Sequence, residues 1–341
     1  MRVLVAGGAG FIGSHLVERL LVRPDVTDVV VVDNLWTGVW ENLEHVRDPR
    51  LKRVTKPIED FRAETKFDEV IHLASPASPK WYMADPRGTI SANVCGALRL
   101  LDLLKVGGRF SFTSTSEVYG DPKLTPQPET YRGSVDCTGP RAAYDEGKRC
   151  TEALLFEMRR TSGLQIRVAR IFNAYGPRTR VNDGRAISNF IAAALAGRPI
   201  KVYGNGAQTR SWGYVDDIVA GLETLFWGAD IDHSGPLNIG NDREVSVLET
   251  ARYIQSLIPG ARIAFGPPAP DDPSNRRPDL SLAYRVLPGW RCKTPYEDGI
   301  RNTLEWFQSQ ATRGICQQTA EAFQAARSAG LAPALGLSTS G

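Results

Sequence analysis

Residues 2–13 read RVLVAGGAGFIG, and the fold turns on what they form. The run begins as a short β-branched strand and ends in a turn that carries Gly7, Gly10 and Gly13. An amphipathic stretch from about Ile12 to Leu21 follows, so the glycines stand between a strand and a helix. In that position a glycine turn lets the backbone approach a pyrophosphate, and the helix N-terminus directs N–H groups toward it. The next apolar run, DVVVVD (28–33), ends in Asp33, twenty residues beyond Gly13. A carboxylate there accepts from both ribose hydroxyls and repels a 2′-phosphate, which predicts NAD rather than NADP.

The alternation continues. FDEVIHLA (67–74), a helical segment around Asn93 to Leu104, RFSFTSTS (109–116) and LQIRVARIF (164–172) succeed one another. Continuous apolar strands separated by helices predict an α/β, Rossmann-type doubly wound parallel sheet covered on both faces. Residues 1–172 are read as the NAD-binding unit, with later segments returning to it. Beyond Asn173 the loops gain Gly and Pro, which predicts a smaller mixed α/β substrate-binding unit over 173–310. Within it, FGPPAPDDPSNRRPD (265–279) reads as a loop. Residues 311–341, rich in Ala, Gly, Ser and Gln, read as a loose tail.

Composition narrows the classes. The 341 residues are 42% hydrophobic and 23% charged, with net charge +3 and no long basic run. Nothing in that balance supports nucleic-acid or membrane-surface binding. No apolar run approaches a membrane span, and the N-terminus lacks signal-peptide organisation, so the cytoplasm is the expected compartment. Five dispersed cysteines without a CxxC read as reduced thiols, and four dispersed histidines give no metal-ligand spacing; no metal site is expected.

Two motifs carry chemistry. TSTSEVYG (113–120) sets Glu117 beside several hydroxyls at a strand end, either as a cap or turn or as an acid/base group. RAAYDEGKR (141–149) places Tyr144 and Lys148 four apart, on one helix face. A phenol titrating near its usual value of about 10 is a poor base at neutral pH. A neighbouring ammonium favours the phenolate, which can then take a hydroxyl proton as hydride leaves carbon. Tyr-x-x-x-Lys by itself is also an ordinary surface pair; behind a dinucleotide turn and a TSTSE strand end it reads as catalytic, with Thr115 as the hydroxyl that holds the substrate oxygen.

With these residues in place, the chain resembles the extended short-chain dehydrogenase/reductases that act on nucleotide sugars, over roughly residues 1 to 308. HLASPASP (72–79), STSEVYGDP (114–122), GPRAAYDEGKR (139–149), RIFNAYGPR (170–178), NDGRAISNF (182–190), VYGNGAQTR (202–210) and DDPSNRRPD (271–279) look like segments of the UDP-glucuronate decarboxylase branch. The resemblance implies oxidation at C4 by NAD, loss of CO2 from the resulting β-keto acid, and re-reduction by the same cofactor. It implies catalytic roles for Tyr144, Lys148, Thr115, Ser116, Glu117 and Arg276, the last in preference to Arg277. The implied cofactor set is Gly7, Gly10, Phe11, Ile12, Gly13, Asp33, Asn34, Thr37, Gly38, Ile58, Leu73, Ala74, Ser75, Thr113 and Ser114, together with Tyr144, Lys148 and Arg185. The implied UDP-sugar contacts are Thr115, Ser116, Asn173, Lys201, Val202, Tyr203, Gln208, Arg210 and Arg276, with Tyr82 either against the sugar or in the core. A homodimer through helices near 90–105 and 145–160 is implied as well. Lys80-Trp81, the WTGVWEN segment (36–42) and Pro57-Ile58 depart from the branch's usual residues. The rival readings are a nucleotide-sugar 4-epimerase or 4,6-dehydratase, a plain oxidoreductase that releases NADH, and a silent NAD-binding regulator.

Overall fold

The computed structural model describes residues 1–228, 231, 233–268 and 275–312. Strands β1 (Arg2–Ala6), β2 (Asp28–Asp33), β3 (Leu51–Thr55), β4 (Phe67–His72), β5 (Leu104–Thr115) and β6 (Gln165–Ile171) form one parallel sheet with a seventh strand, Pro236–Ile239. The order is Pro236–Ile239, β6, β5, β4, β1, β2, β3. The chain thus winds outward from β1 to β3, then crosses back to β4 on the other side. That reversal leaves a crevice at the carboxyl ends of β1 and β4, where open α/β sheets bind ligands.

Strand periodicity explains why both faces are covered. In β1 and β2, Val3, Val5, Val29 and Val31 enter one apolar cluster, while Leu4, Ala6, Val30 and Val32 enter the other. Side chains alternate across a strand, so an unbroken apolar run requires a layer on each side. Helix α1 (Phe11–Leu21) buries Gly13, Leu16, Val17 and Leu20 against the first cluster, the i, i+3, i+4, i+7 stripe of a one-sided helix.

Several boundaries differ from the sequence expectation. The helix placed at Asn93 begins instead at Pro86, where Asp85 caps it by accepting from the Gly88 N–H (2.8 Å). Asp-Pro is a helix-start signal in its own right. The run continues through a π turn, Ser91–Cys95, to Asp102. β5 starts at Leu104 rather than 109, because Gly107-Gly108, the first of them at φ +76°, break the apolar pattern of its opening residues. The 265–279 segment holds a short strand, Asn275–Arg276, paired with Thr209–Ser211, which pairs in turn with Glu244–Ser246. A second small pair joins Ile200–Tyr203 to Ile263–Gly266. Of the expected tail, residues 313–341 lie outside the described residues, as do Asp271 and Asp272. Among the described residues no helix is long and apolar enough to cross a membrane.

Candidate active site

At the sheet's crevice lies a cavity of ≈ 1560 Å³ whose walls come from both ends of the chain. The glycine turn forms its floor. Gly7 has φ +82°, and a Cβ there would stand 2.6 Å from the Ala74 nitrogen. A Cβ on Gly13 would stand 2.3 Å from the Gly7 carbonyl oxygen, so any side chain there would force helix and turn apart. Asp33, 6% exposed, accepts from the N–H groups of Ala9 (3.1 Å) and Leu35 (2.9 Å). Burial pushes its carboxyl above the usual range while these two bonds oppose the shift. Phe11, Ile12, Asn34, Thr37, Ile58, Leu73, Ala74, Ser75, Thr113 and Ser114 line the same wall. Gly38 stands behind it: a Cβ there would meet Asp33 Oδ2 at 2.9 Å, so Gly38 makes room for the carboxylate.

The helix Ala142–Ser162 brings Tyr144 and Lys148 to this wall. Lys148 Nζ donates to the Thr113 carbonyl (2.8 Å) and lies 4.7 Å from the centre of the Phe112 ring. Burial lowers its pKa to about 7. Tyr144 departs from the sequence expectation. Its phenol is pushed above its usual pKa by burial, with Thr115 and Arg185 pulling in the opposite direction. The reason is geometric: Lys148 Nζ is 5.9 Å from the Tyr144 ring centre and is engaged by a carbonyl, so desolvation outweighs it. Beneath the helix, Asn93 in the π turn donates to Ser75 Oγ (2.9 Å), and Thr151 Oγ1 donates to the Asn93 carbonyl (2.9 Å).

β5 ends in a 3₁₀ turn, Ser116–Tyr119, capped by Thr115, whose Oγ1 accepts from the Glu117 N–H (3.2 Å). The cap-and-turn reading of TSTSE is thus seen in the structure, and the same turn sets Glu117 on the cavity wall. Arg276, 3% exposed, reaches Glu117 Oε1 at 2.8 Å and donates to Ser116 Oγ (3.2 Å) and the Gly120 carbonyl (3.3 Å). Arg277, by contrast, pairs with exposed Glu244 at 3.5 Å. The register decides between the two arginines: strand alternation turns one inward and its neighbour outward.

Arg185 chelates Asp183 (2.5 and 3.0 Å) with its guanidinium 5.7 Å from the Phe11 ring centre, between the glycine turn and Tyr144. Toward the second unit, Asn173, Lys201, Tyr203, Gln208 and Arg210 line the cavity. The Asn173 amide nitrogen is buried and has no hydrogen-bond partner among the described residues. Val202 does not join them: it is fully buried in the core, because Ile200–Tyr203 alternates buried and exposed. Tyr82 is 2% exposed and stacks on Tyr144, with ring centres 4.9 Å apart and planes 5° apart.

Other residues had no role assigned from sequence. Arg141 lies 3.5 Å from Glu117 Oε2 as its second cation; Pro140-Arg141 directly before the helix was the available signal. Gln127, fully buried, donates its N–H to the Arg277 carbonyl (2.8 Å) and accepts from the Asp279 N–H (2.9 Å). Its Oε1 accepts from the Arg277 N–H (3.0 Å), so Gln127 clamps the strand that carries Arg276. No sequence pattern announces that contact across 150 residues. Lys80 and Trp81 join Trp36 and Arg180: the indoles meet edge to face at 5.9 Å, and the Arg180 guanidinium sits 4.9 Å from Trp81 and donates to the Trp36 carbonyl (2.9 Å).

A glycine cradle too tight for side chains, the buried carboxylate of Asp33 at the end of β2 and the hydroxyl of Ser114, unpartnered among the described residues, together fit a bound NAD. With Tyr144 and Lys148 at the same wall, fold and site define an NAD-dependent enzyme of the epimerase/dehydratase class. The chain belongs to the NAD dependent epimerase/dehydratase family, whose model matches residues 3–240. It is similar to UDP-glucuronic acid decarboxylase 4 of Arabidopsis thaliana, 48% identical over 314 residues, covering 91% of this chain and 69% of that one. It is also similar to UDP-glucuronic acid decarboxylase 1 of Danio rerio, 44% identical over 312 residues, covering 91% and 73%. Among solved structures, a double mutant of the dTDP-glucose 4,6-dehydratase DesIV from Streptomyces venezuelae, with NAD and DAU bound, superimposes with TM-score 0.82 at 29% identity, covering 93% and 99%. The UDP-glucuronic acid 4-epimerase from Bacillus cereus, in complex with UDP-glucuronic acid and NAD, gives 0.80 at 25% identity, covering 91% and 99%.

Proposed function

We propose that this protein decarboxylates UDP-glucuronate to UDP-xylose with no net redox change. The observation that carries the reading is the Arg276–Glu117 ion pair, set in the wall of the cavity that also holds Tyr144 and Lys148. Alcohol oxidation needs only the tyrosine and lysine; a buried guanidinium beside a carboxylate supplies what a carboxylate substrate adds. The decarboxylase relatives support the same conclusion.

NAD held by the glycine cradle, Asp33 and Arg185 supplies the acceptor, and later the donor, for the C4 hydrogen. Tyr144 takes the proton of the C4 hydroxyl, which Thr115 holds in line. Its resting phenol is raised by burial, and the Thr115 hydroxyl and the Arg185 guanidinium act in the opposite direction, toward the phenolate that the transfer needs. The C4 ketone turns the C6 carboxylate into a β-keto acid, and CO2 leaves with its electron pair delocalised into the carbonyl. Arg276 binds that carboxylate beforehand and Ser116 shares its guanidinium. Glu117 serves reprotonation at C5, and Tyr144 returns its proton to the C4 oxygen. Asn173, Lys201, Tyr203, Gln208 and Arg210 hold the UDP half, in the unit spanning 173–310.

The same reading makes the protein a cytoplasmic homodimer that pairs through Pro86–Asp102 and Ala142–Ser162; Ile90 and Leu98, exposed on the first of these, support that face. The test of function is incubation of purified protein with UDP-glucuronate and catalytic NAD+, followed by mass spectrometry. Loss of CO2 to give a UDP-pentose, with little net change at 340 nm, is expected. A 4-keto or 4-epimeric product that keeps its carboxylate overturns the reading.

A further inference from the structure

Three loops meet at the cofactor end of the cavity. Strand β1, whose glycine turn makes the floor, lies between β2 and β4 in the sheet. Trp36 stands in the loop after β2, and the buried Trp81 in the segment after β4. Their indoles meet edge to face with ring centres 5.9 Å apart, so the loops of the two flanking strands join across the end of the strand between them. The third loop, 178–185, comes from the second unit. Its Arg180 donates to the Trp36 carbonyl (2.9 Å) and sets its guanidinium 4.9 Å from the Trp81 ring centre, so one cation braces both sides. This third loop is itself fastened at each end. Arg178 pairs with Glu18 of α1 at 2.8 Å, and the buried Ser78 hydroxyl donates to the Asp183 carbonyl (2.5 Å). Asp183 in turn chelates Arg185, the cation given to the cofactor above. Trp36, Trp81 and Arg180 line the same cavity as Gly7, Gly10 and Gly13. Leu35 (φ +60°), directly before Trp36, and Arg178 (φ +67°), two before Arg180, are the two non-glycine residues at positive φ among the described residues. Side chains rarely accept that conformation, so the chain carries backbone strain where these loops close.

We infer that Trp36, Trp81 and Arg180 form a clasp that gates the cofactor: NAD enters and leaves only when the three loops part. The clasp joins the loops of β2 and β4 to the 178–185 loop, whereas Lys201, Tyr203, Gln208 and Arg210, which line the sugar-nucleotide end, take no part in it. The two ligands therefore exchange by separate routes. In a reaction without net redox, NAD ends each turnover as it began and has no need to leave, while the nucleotide sugar must exchange every time. A gate on the cofactor alone suits that demand. The bonds that hold the clasp run from protein to protein, so they set the barrier to NAD exchange and leave its affinity nearly untouched. The inference rests on the cofactor site and not on which sugar is turned over.

The full-length protein is loaded with isotopically labelled NAD+ and chased with excess unlabelled NAD+; rapid desalting and mass spectrometry then give the release rate. Stopped-flow tryptophan fluorescence gives the association rate, and calorimetry gives Kd. In the wild type the association rate is expected to level off as NAD+ is raised, because opening of the clasp becomes limiting. Arg180→Ala removes the brace and Trp36→Ala removes one indole. Each should speed release and association together by roughly tenfold, the size of one lost aromatic or cation–π contact, with Kd within about threefold. Trp36→Phe keeps a ring for Trp81 to meet and should recover most of the wild-type rates. Wild-type release and association in both alanine variants overturn the clasp. So does faster release with association unchanged and Kd weakened to match, which would make these side chains direct contacts of NAD. If the variants do not fold, as judged by their melting curves, the wild-type association decides: a rate that rises in proportion to NAD+ throughout refutes the gate. A wild type that binds no NAD overturns the cofactor site and the clasp with it.

Discussion

Replacing Arg276 by alanine tests the central geometry most directly. The side chain is 3% exposed and its guanidinium makes three contacts, to Glu117 (2.8 Å), Ser116 (3.2 Å) and Gly120 (3.3 Å). Breaking a fully buried pair costs about 3–5 kcal/mol, but Glu117 borders an open cavity, is 21% exposed and keeps Arg141, so the folding cost should be nearer 1–2 kcal/mol. The catalytic cost is larger. A bound carboxylate would lose two charge-assisted hydrogen bonds of about 1.5–2 kcal/mol each, some 3–4 kcal/mol in all, or roughly two to three decades in kcat/KM at 1.4 kcal/mol per decade. The assay is kcat/KM for UDP-pentose formation from UDP-glucuronate, set beside the Kd for UDP alone. The expected result is a 10²–10³-fold loss in the first with less than about threefold change in the second. Arg276→Lys should recover only part of the loss, since an ammonium restores charge without the planar fork. If UDP binding falls as much as turnover, Arg276 belongs to the nucleotide site and the reasoning fails. Turnover within about threefold of wild type refutes it equally.

Three further outcomes are expected. Gln127→Ala removes the side-chain acceptor of the Arg277 N–H and should lower stability by about 1–3 kcal/mol, while kcat falls roughly tenfold and the NAD Kd stays unchanged; thermal melts and an NAD titration measure the two effects. Asp33→Asn, which cannot accept equally from the Ala9 and Leu35 N–H groups and from a ribose, should weaken NAD about 10–100-fold with little effect on UDP binding, as read by calorimetry. His72 is buried, with its pKa lowered from 6.5 to about 3 by desolvation and then by Lys148. The unfolded chain therefore takes up a proton below pH 6.5 that the folded chain refuses, and stability should fall as pH drops from 6.5 toward 3, by up to roughly 4–5 kcal/mol. His72→Leu should flatten that part of the melting-temperature profile; an unchanged acid limb counts against it.

Much of this was written locally. The strand–glycine–helix order of residues 2–21, the acid at Asp33 and the Tyr144–Lys148 spacing are short-range signals, since each depends on one turn or one helix face. Period-two and period-3.6 apolar patterns likewise fixed a doubly wound sheet, because a strand apolar on both sides has no other stable setting. Where a pattern was broken or local, boundaries slipped, as at the glycine-interrupted start of β5 and the Asp85 cap. Tertiary structure alone decided what lies across long separations. It put Arg276, not Arg277, against Glu117, set Val202 in the core while Lys201 and Tyr203 met the cavity, and anchored the Arg276 strand through Gln127. It also reversed the expected direction of the Tyr144 shift. Spacing along a chain says which charges share a face. Desolvation depends on everything packed around them, and that exists only once the chain has folded.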